Sequence, residues 1–216
     1  MSSFSERPPA VKKPVVIIEH CEPEFSPWLI LEYRHASTIY GRDFIWFTRV
    51  PSRYHRLLAK YGKVRSESVV ELVNRGELAA ERVIVLDPRS HEPLSYESLA
   101  SAEYVVVGGI LGDHPPRGRT WVEITSKMPR GVRAFNIGEG QYSIDGAVYY
   151  VEYMWRNKGN SGFQYVDGVY VETESGYVYL PFRYPLVNGK PLLAEGLEYY
   201  LKFRKLPEHV WREITS

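Results

Sequence analysis

The chain has 216 residues, of which 27 are Lys or Arg and 26 are Asp or Glu; the formal charge of +1 gives no overall basic excess of the kind that marks nucleic-acid binders. Its one cysteine, Cys21, rules out an intramolecular disulfide and any zinc module of repeated cysteines, and fits a reducing compartment. No apolar run reaches the ~20 residues a membrane-spanning helix needs, and the start is polar and Pro-containing, so a cytoplasmic protein without a membrane partner is expected.

In chain order, residues 1–14 carry Ser, Pro and Lys without periodicity and read as a flexible tail. Val15-Val16-Ile17-Ile18 is short, β-branched and continuous, as in a strand buried on both faces, and it ends in Glu19-His20. Ser26-Pro27 supplies an N-cap and a first-turn proline for a helix running from Trp28 through Tyr40 to the stop at Gly41. Phe44–Thr48 reads as the next strand, followed by helical stretches at Ser52–Tyr61 and Ser68–Asn74, each closed by a glycine. Arg82–Leu86 and Tyr104–Val107 read as strands. Thr120 and Glu123 have capping-box spacing and predict a helix there, before a strand at Val132–Ile137. Ser143 predicts the cap of a long helix reaching about Lys158.

Strands alternating with helices predict an α/β fold with a mainly parallel sheet and helices on both faces, because parallel neighbours need crossover connections. Residues 15–158 form that domain in this reading. Residues 159–216 form a β-rich appendage: two stretches, Phe163–Glu174 and Tyr177–Val187, flank Ser175-Gly176 as a hairpin. Asn188-Gly189 marks a second turn, and a terminal helix is expected around Leu197–Phe203.

Ligands of open α/β sheets lie beyond the carboxyl ends of the strands, which directs attention to three segments. These are Leu86–Arg89, Gly108–Pro116 and Asn136–Ser143. In the second, Gly108, Gly109 and Gly112 permit close backbone approach while Pro115-Pro116 stiffens the exit. Neither the dinucleotide glycine fingerprint nor a phosphate-binding P-loop is present.

The run Gly108-Gly109-Ile110-Leu111-Gly112-Asp113-His114-Pro115-Pro116-Arg117 resembles a segment of a small SPOUT-class methyltransferase family, which includes the eukaryotic arginine methyltransferase that modifies a small-subunit ribosomal protein. The resemblance extends in order from about Val15 to Leu201. Ile18-Glu19-His20, Phe25-Ser26, Trp28 and Leu31-Glu32-Tyr33 resemble the amino-terminal motif, and Leu86-Asp87-Pro88-Arg89 the middle one. Gly138, Gln141, Ser143, Asp145 and Ala147 fall on a further pattern, and Pro181–Tyr184 with Gly189-Lys190-Pro191 and Glu195-Gly196 on the last. The resemblance implies an α/β trefoil knot in the carboxyl half and S-adenosyl-L-methionine as cofactor, held by the three loops. The matched binding positions are Leu86, Gly108, Gly109, Leu111, Gly112, Ile137, Gln141 and Ser143, with Ile110 and Ile144 as apolar walls.

Methyl transfer to a guanidinium calls for carboxylates that orient its donors and compensate charge as a proton leaves. Asp113 and Glu19 are the candidate catalytic residues, and His20, His114 and Arg117 candidate substrate contacts. Arg119 reads as part of a solvated helix start and Asp87 as shaping the turn before Pro88. The two histidines lack companions at zinc spacing, so no metal is assigned. The expected acceptor is an arginine of a ribosomal or other translation protein, with a monomer favoured over a dimer. An rRNA or tRNA acceptor, and a ribosome-associated module that binds cofactor without turnover, stand as the alternatives.

Overall fold

The computed structural model describes residues 12–112 and 114–215. A six-stranded parallel sheet is built from β1 (Val15–His20), β2 (Ile45–Thr48), β3 (Lys63–Val64), β4 (Val83–Leu86), β5 (Tyr104–Gly109) and β6 (Arg133–Phe135). Its spatial order is β3-β2-β1-β5-β4-β6. The two longest strands, β1 and β5, lie side by side at the centre, with Val15 opposite Tyr104 and His20 opposite Gly109.

Burial on both faces explains the continuous apolar runs of these strands. Val16 and Ile18 of β1, Val105 and Val107 of β5, and Ile84 and Leu86 of β4 pack with α1 (Pro27–Tyr40), α2 (His55–Leu58), α4 (Tyr96–Ser101) and α6 (Ile144–Asn157). The intervening Ile17, Val106 and Val85 face the other way, onto α3 (Val69–Asn74) and onto Ile124, just after α5 (Arg119–Glu123).

A second sheet, antiparallel, contains β7 (Tyr165–Thr173), β8 (Gly176–Val187) and β9 (Lys190–Pro191). It packs with α7 (Leu197–Phe203) and α8 (Glu208–Thr215) on the outward side of α1, where Leu31 joins Val171, Leu180, Tyr184, Leu197, Leu201 and Val210 in a third apolar cluster. The appendage also touches the main sheet's loops directly: the Arg183 amide of β8 donates to the Gln141 carbonyl at 2.7 Å. Among the described residues no helix is long and apolar enough to cross a membrane.

Local signals account for the predicted helix ends. Ser26 accepts from the Leu29 amide, Ser68 forms a capping box with Glu71, and Ser143 accepts from the Gly146 amide. The expected capping box at Thr120 is absent: α5 starts one residue earlier, after Gly118 in the left-handed conformation, with no side-chain cap. The stretch expected to be helical from Ser52 divides into a 3-10 turn, Ser52–Tyr54, and the four-residue α2. Three elements carry too little pattern to be seen from sequence. β3 has two residues, α4 has six, and α8 buries Val210 alone among its residues.

Glu19 corrects a functional expectation. Its carboxylate is 1% exposed and lies at the end of β1, where Oε2 accepts from the Thr48 hydroxyl at 2.5 Å and the Val69 amide at 2.9 Å. It thereby ties β2 and the first turn of α3 to β1, and burial raises its pKa despite these donors. This is a structural carboxylate. Replacing Glu19 by Ala should destabilise the protein by about 3 kcal/mol, because two buried donors lose their acceptor; urea unfolding of the two proteins measures it, and an unchanged midpoint would contradict the assignment.

Candidate functional site

β5, β4 and β6 are adjacent and parallel, so the loops that leave their carboxyl ends meet. Between those loops lies a cavity of about 500 Å³. Leu86 to Arg89 line it from the first loop; Gly108, Ile110 and Gly112, then Pro116 to Thr120, from the second; and Ile137, Gly138 and Gly140 to Ile144 from the third, with Ala147 of α6.

The first and third loops brace one another through Asn136. Its amide donates to the Glu92 carbonyl at 2.7 Å, its side-chain nitrogen to the Ser90 carbonyl at 3.0 Å, and its side-chain oxygen accepts from the Gly138 amide at 3.0 Å. Asp87 holds its own turn as expected, accepting from the Arg89 amide at 2.9 Å and the Thr125 hydroxyl at 2.6 Å. In the third loop, Gly140 has φ +112°, and a Cβ there would press on the Arg183 guanidinium, which is fixed by Asp167 at 2.7 Å.

The second loop is held by Glu22, whose Oε1 accepts from the Leu111 amide at 2.9 Å and from Arg119 at 2.7 Å. Arg119 also donates to the Cys21 carbonyl at 2.9 Å and to Glu123, so it is a bracket between β1 and α5 instead of a solvated residue. Gly112 is a close approach. A Cβ at that position would overlap the Gln141 side-chain amide and come within 2.7 Å of the Phe182 ring.

Eight of the ten residues expected to hold the cofactor line this cavity: Leu86, Gly108, Ile110, Gly112, Ile137, Gln141, Ser143 and Ile144. Leu111 lines a smaller neighbouring cavity instead. Gly109 faces away, where a Cβ would overlap Tyr33 Oη and sit 2.8 Å from the Glu19 carbonyl, so packing of β5 against β1 and α1 accounts for it.

Of the expected substrate contacts, Arg117 lines the cavity and is exposed, and His114 is exposed beside it in sequence. His20 is a correction: it is buried, stacks on Phe25 with centroids 4.1 Å apart, and shares a 3.0 Å hydrogen bond with Tyr33 Oη. Burial pushes its pKa down to about 4, so it is a neutral packing residue. Cys21 is buried beside it, and burial raises its thiol to about 12, which leaves it unreactive. Asp113 lies outside the described residues.

The smaller cavity, about 210 Å³, shares Ile110, Gly112 and Ser143 with the larger one and is otherwise walled by Trp28, Glu32, Leu111 and Phe182. In the sequence Glu32 stands only within the matched run Leu31-Glu32-Tyr33, with no role of its own; a carboxylate inside the buried run Leu29–Tyr33 is the signal that could have given it one. Burial, and then the neighbouring Asp145, raises its pKa to about 8. Asp145 is itself held by His35 at 2.6 Å and by the Gly146 amide at 2.9 Å.

A sequence model of the family described as SFM1-like protein arginine N-methyltransferase matches residues 15–205. Protein arginine N-methyltransferase SFM1 of Saccharomyces cerevisiae (strain ATCC 204508 / S288c) is 31% identical over 196 residues, covering 84% of this chain and 91% of that protein. The crystal structure of the yeast arginine methyltransferase SFM1 complexed with S-adenosylmethionine superposes with a TM-score of 0.78 at 29% identity, over 88% of this chain and 91% of that one. The same enzyme complexed with S-adenosylhomocysteine gives 0.77 at 29% identity, over 87% and 94%.

The raised pKa of Glu32 has a defined sign in stability. Between the ordinary carboxyl value near 4.5 and about 8, the folded protein holds a proton that the unfolded chain has released, so stability should fall as pH rises through that window. Urea midpoints measured from pH 4.5 to 8.5 should show this decline, and Glu32→Gln should flatten it; an equal slope in both proteins would contradict the burial of a protonated Glu32.

Proposed function

The chain belongs to the SFM1-like protein arginine N-methyltransferase family, and on that premise we propose that it transfers the methyl group of S-adenosylmethionine to an arginine side chain of a ribosomal protein. The observation that carries the reading is the convergence of the three matched loops on one cavity, in a fold shared with a relative solved with this cofactor.

The lining fits the group. Leu86, Ile110, Ile137 and Ile144 supply apolar walls suited to a nucleoside, Gly108 and Gly112 bring bare backbone to the surface, and Gln141 and Ser143 add polar atoms. The bound sulfonium supplies an electrophilic methyl. The chain's own work is to align the acceptor nitrogen with it and to exclude water, and the braced loops serve both ends. The trefoil path implied by the resemblance belongs to this proposal. It is supported by the way the chain leaves edge strand β6 and returns, so that α6 packs beside β5, α1 and α4.

Asp113 follows Gly112, which lines both cavities, and we assign its carboxylate the role of drawing in the guanidinium and receiving the proton that leaves as the N–CH3 bond forms. His114 and Arg117 continue the same segment, Arg117 lining the large cavity, and would meet the acceptor's flanking groups.

Isotopically labelled S-adenosylmethionine, supplied with ribosomes that lack the modification, tests the reading directly. Label released by protease and recovered as methylarginine is the expected result. Label released by ribonuclease would overturn the protein-acceptor assignment in favour of RNA, and cofactor binding with no labelled acceptor would overturn turnover itself. Asp113→Ala should lower kcat/KM about 100-fold while S-adenosylhomocysteine affinity changes little; calorimetry and single-acceptor kinetics measure the two, and unchanged turnover would remove Asp113 from the mechanism.

A further inference from the structure

The appendage meets the third loop through one buried cation, Arg183 of β8. We propose that Arg183 is a positioning residue for the cofactor: its guanidinium is the mould on which the third loop takes the shape that closes the large cavity. This inference rests on the methyltransferase reading and makes the appendage part of the cofactor site.

Three observations carry it. First, the guanidinium is fixed. Its Nε and Nη2 donate to the two oxygens of Asp167 at 2.7 and 2.8 Å, across the β7–β8 pair in which these residues stand opposite one another. Its Cζ lies 3.8 Å from the centroid of the Tyr165 ring. A bidentate pair backed by an aromatic ring holds a flat group in one orientation, which a lysine ammonium cannot reproduce.

Second, the third loop is laid on that group. A Cβ at Gly140 would stand 2.8 Å from Arg183 Cζ and 2.9 Å from Nε, and one at Gly138 would stand 3.5 Å from Nη1. Two glycines at positive φ thus let bare backbone come down on the guanidinium. Arg183 is 8% exposed as a result, although its partner Asp167 is open to solvent.

Third, the same residue pins the loop by its backbone. Besides the bond from its amide to the Gln141 carbonyl, Arg183 pairs with Tyr142 in an isolated bridge. Gly138, Gly140, Gln141 and Tyr142 line the large cavity, whereas Arg183 does not. It would therefore act on the cofactor only through the loop it shapes.

Without the guanidinium, the backbone bond at Gln141 remains but Gly138 and Gly140 lose their support. The cofactor must then order the loop as it binds, and that cost is read as lost affinity. The groups assigned to the acceptor, Asp113, His114 and Arg117, belong to the second loop. The penalty should thus fall on cofactor binding, raising KM, while kcat is kept.

Calorimetric titration of the full chain with S-adenosylhomocysteine tests the assignment. Arg183→Lys should weaken binding at least tenfold, and Asp167→Asn, which keeps the guanidinium but loosens it, at least threefold. Glu172→Gln, an exposed change on the same hairpin, should stay within twofold of the wild type. In methyl transfer to the ribosomal acceptor, Arg183→Lys should raise the KM for S-adenosylmethionine at least tenfold with kcat within threefold, a split that partial unfolding would not produce because it lowers kcat. If Arg183→Lys fails to fold, Asp167→Asn decides by the same split at the threefold level. Unchanged S-adenosylhomocysteine affinity in the folded variants, or a fall in kcat with KM unchanged, would overturn the positioning role and leave the methyltransferase reading standing. Failure of the wild type to bind S-adenosylhomocysteine would overturn that reading itself.

Discussion

The site depends on parallel pairing of β5, β4 and β6, which brings three carboxyl ends to one edge of the sheet. Each strand releases a loop there, and the loops are joined to one another and to β8 only by isolated backbone bridges, Pro93 with Asn136 and Tyr142 with Arg183. Asn136, Asp87 and Glu22 satisfy further backbone groups by side-chain bonds, to the Ser90 carbonyl and the Gly138, Arg89 and Leu111 amides, and so brace the loops. A cavity braced in this way loses little conformational freedom when something enters it, and preorganisation of that kind favours binding over reshaping. The appendage adds a second brace, since β8 hydrogen-bonds the third loop at Gln141 and brings Phe182 to the smaller cavity.

Charge burial sorts the carboxylates around the two cavities. Glu19 and Asp87 are both buried and each accepts from two donors: Thr48 and the Val69 amide on Glu19 Oε2, the Arg89 amide and the Thr125 hydroxyl on Asp87. Glu22 is engaged by Arg119 and the Leu111 amide. Glu32 is also held by two donors and borders a cavity, as Asp87 does, and it sits near Asp145 instead of a cation. Keeping such a group costs stability at neutral pH, and a protein retains that cost more readily where a ligand offsets it.

Much of this architecture was legible in the sequence because the decisive signals were local. Four apolar residues ending in Glu19-His20, serine caps at positions 26 and 143, and the hairpin around Ser175-Gly176 each specify an element within a few residues. The three loops were legible too, since glycine and proline mark strand ends. What could not be read was direction. Gly109 and Gly112 look alike in sequence, but one faces Tyr33 and the other the cavity, and only the strand's register decides which. Glu19 and His20 drew attention as polar residues at a strand end, whereas their surroundings turned them inward to Thr48, Val69 and Tyr33. Glu32, quoted only within its motif, received no role for the converse reason: a helix interior hides which of its residues borders a cavity formed by segments nearly 80 and 150 positions away, at Ile110 and Phe182.

A crystal structure of the protein with S-adenosylhomocysteine tests the central claim most directly. The account predicts the nucleoside in the large cavity, with Leu86, Ile137 and Ile144 around it, and the thioether sulfur directed toward Gly112 and the chamber of Trp28, Glu32 and Phe182. A nucleoside bound elsewhere, or a sulfur turned toward Arg89 with the smaller chamber sealed from it, would contradict it.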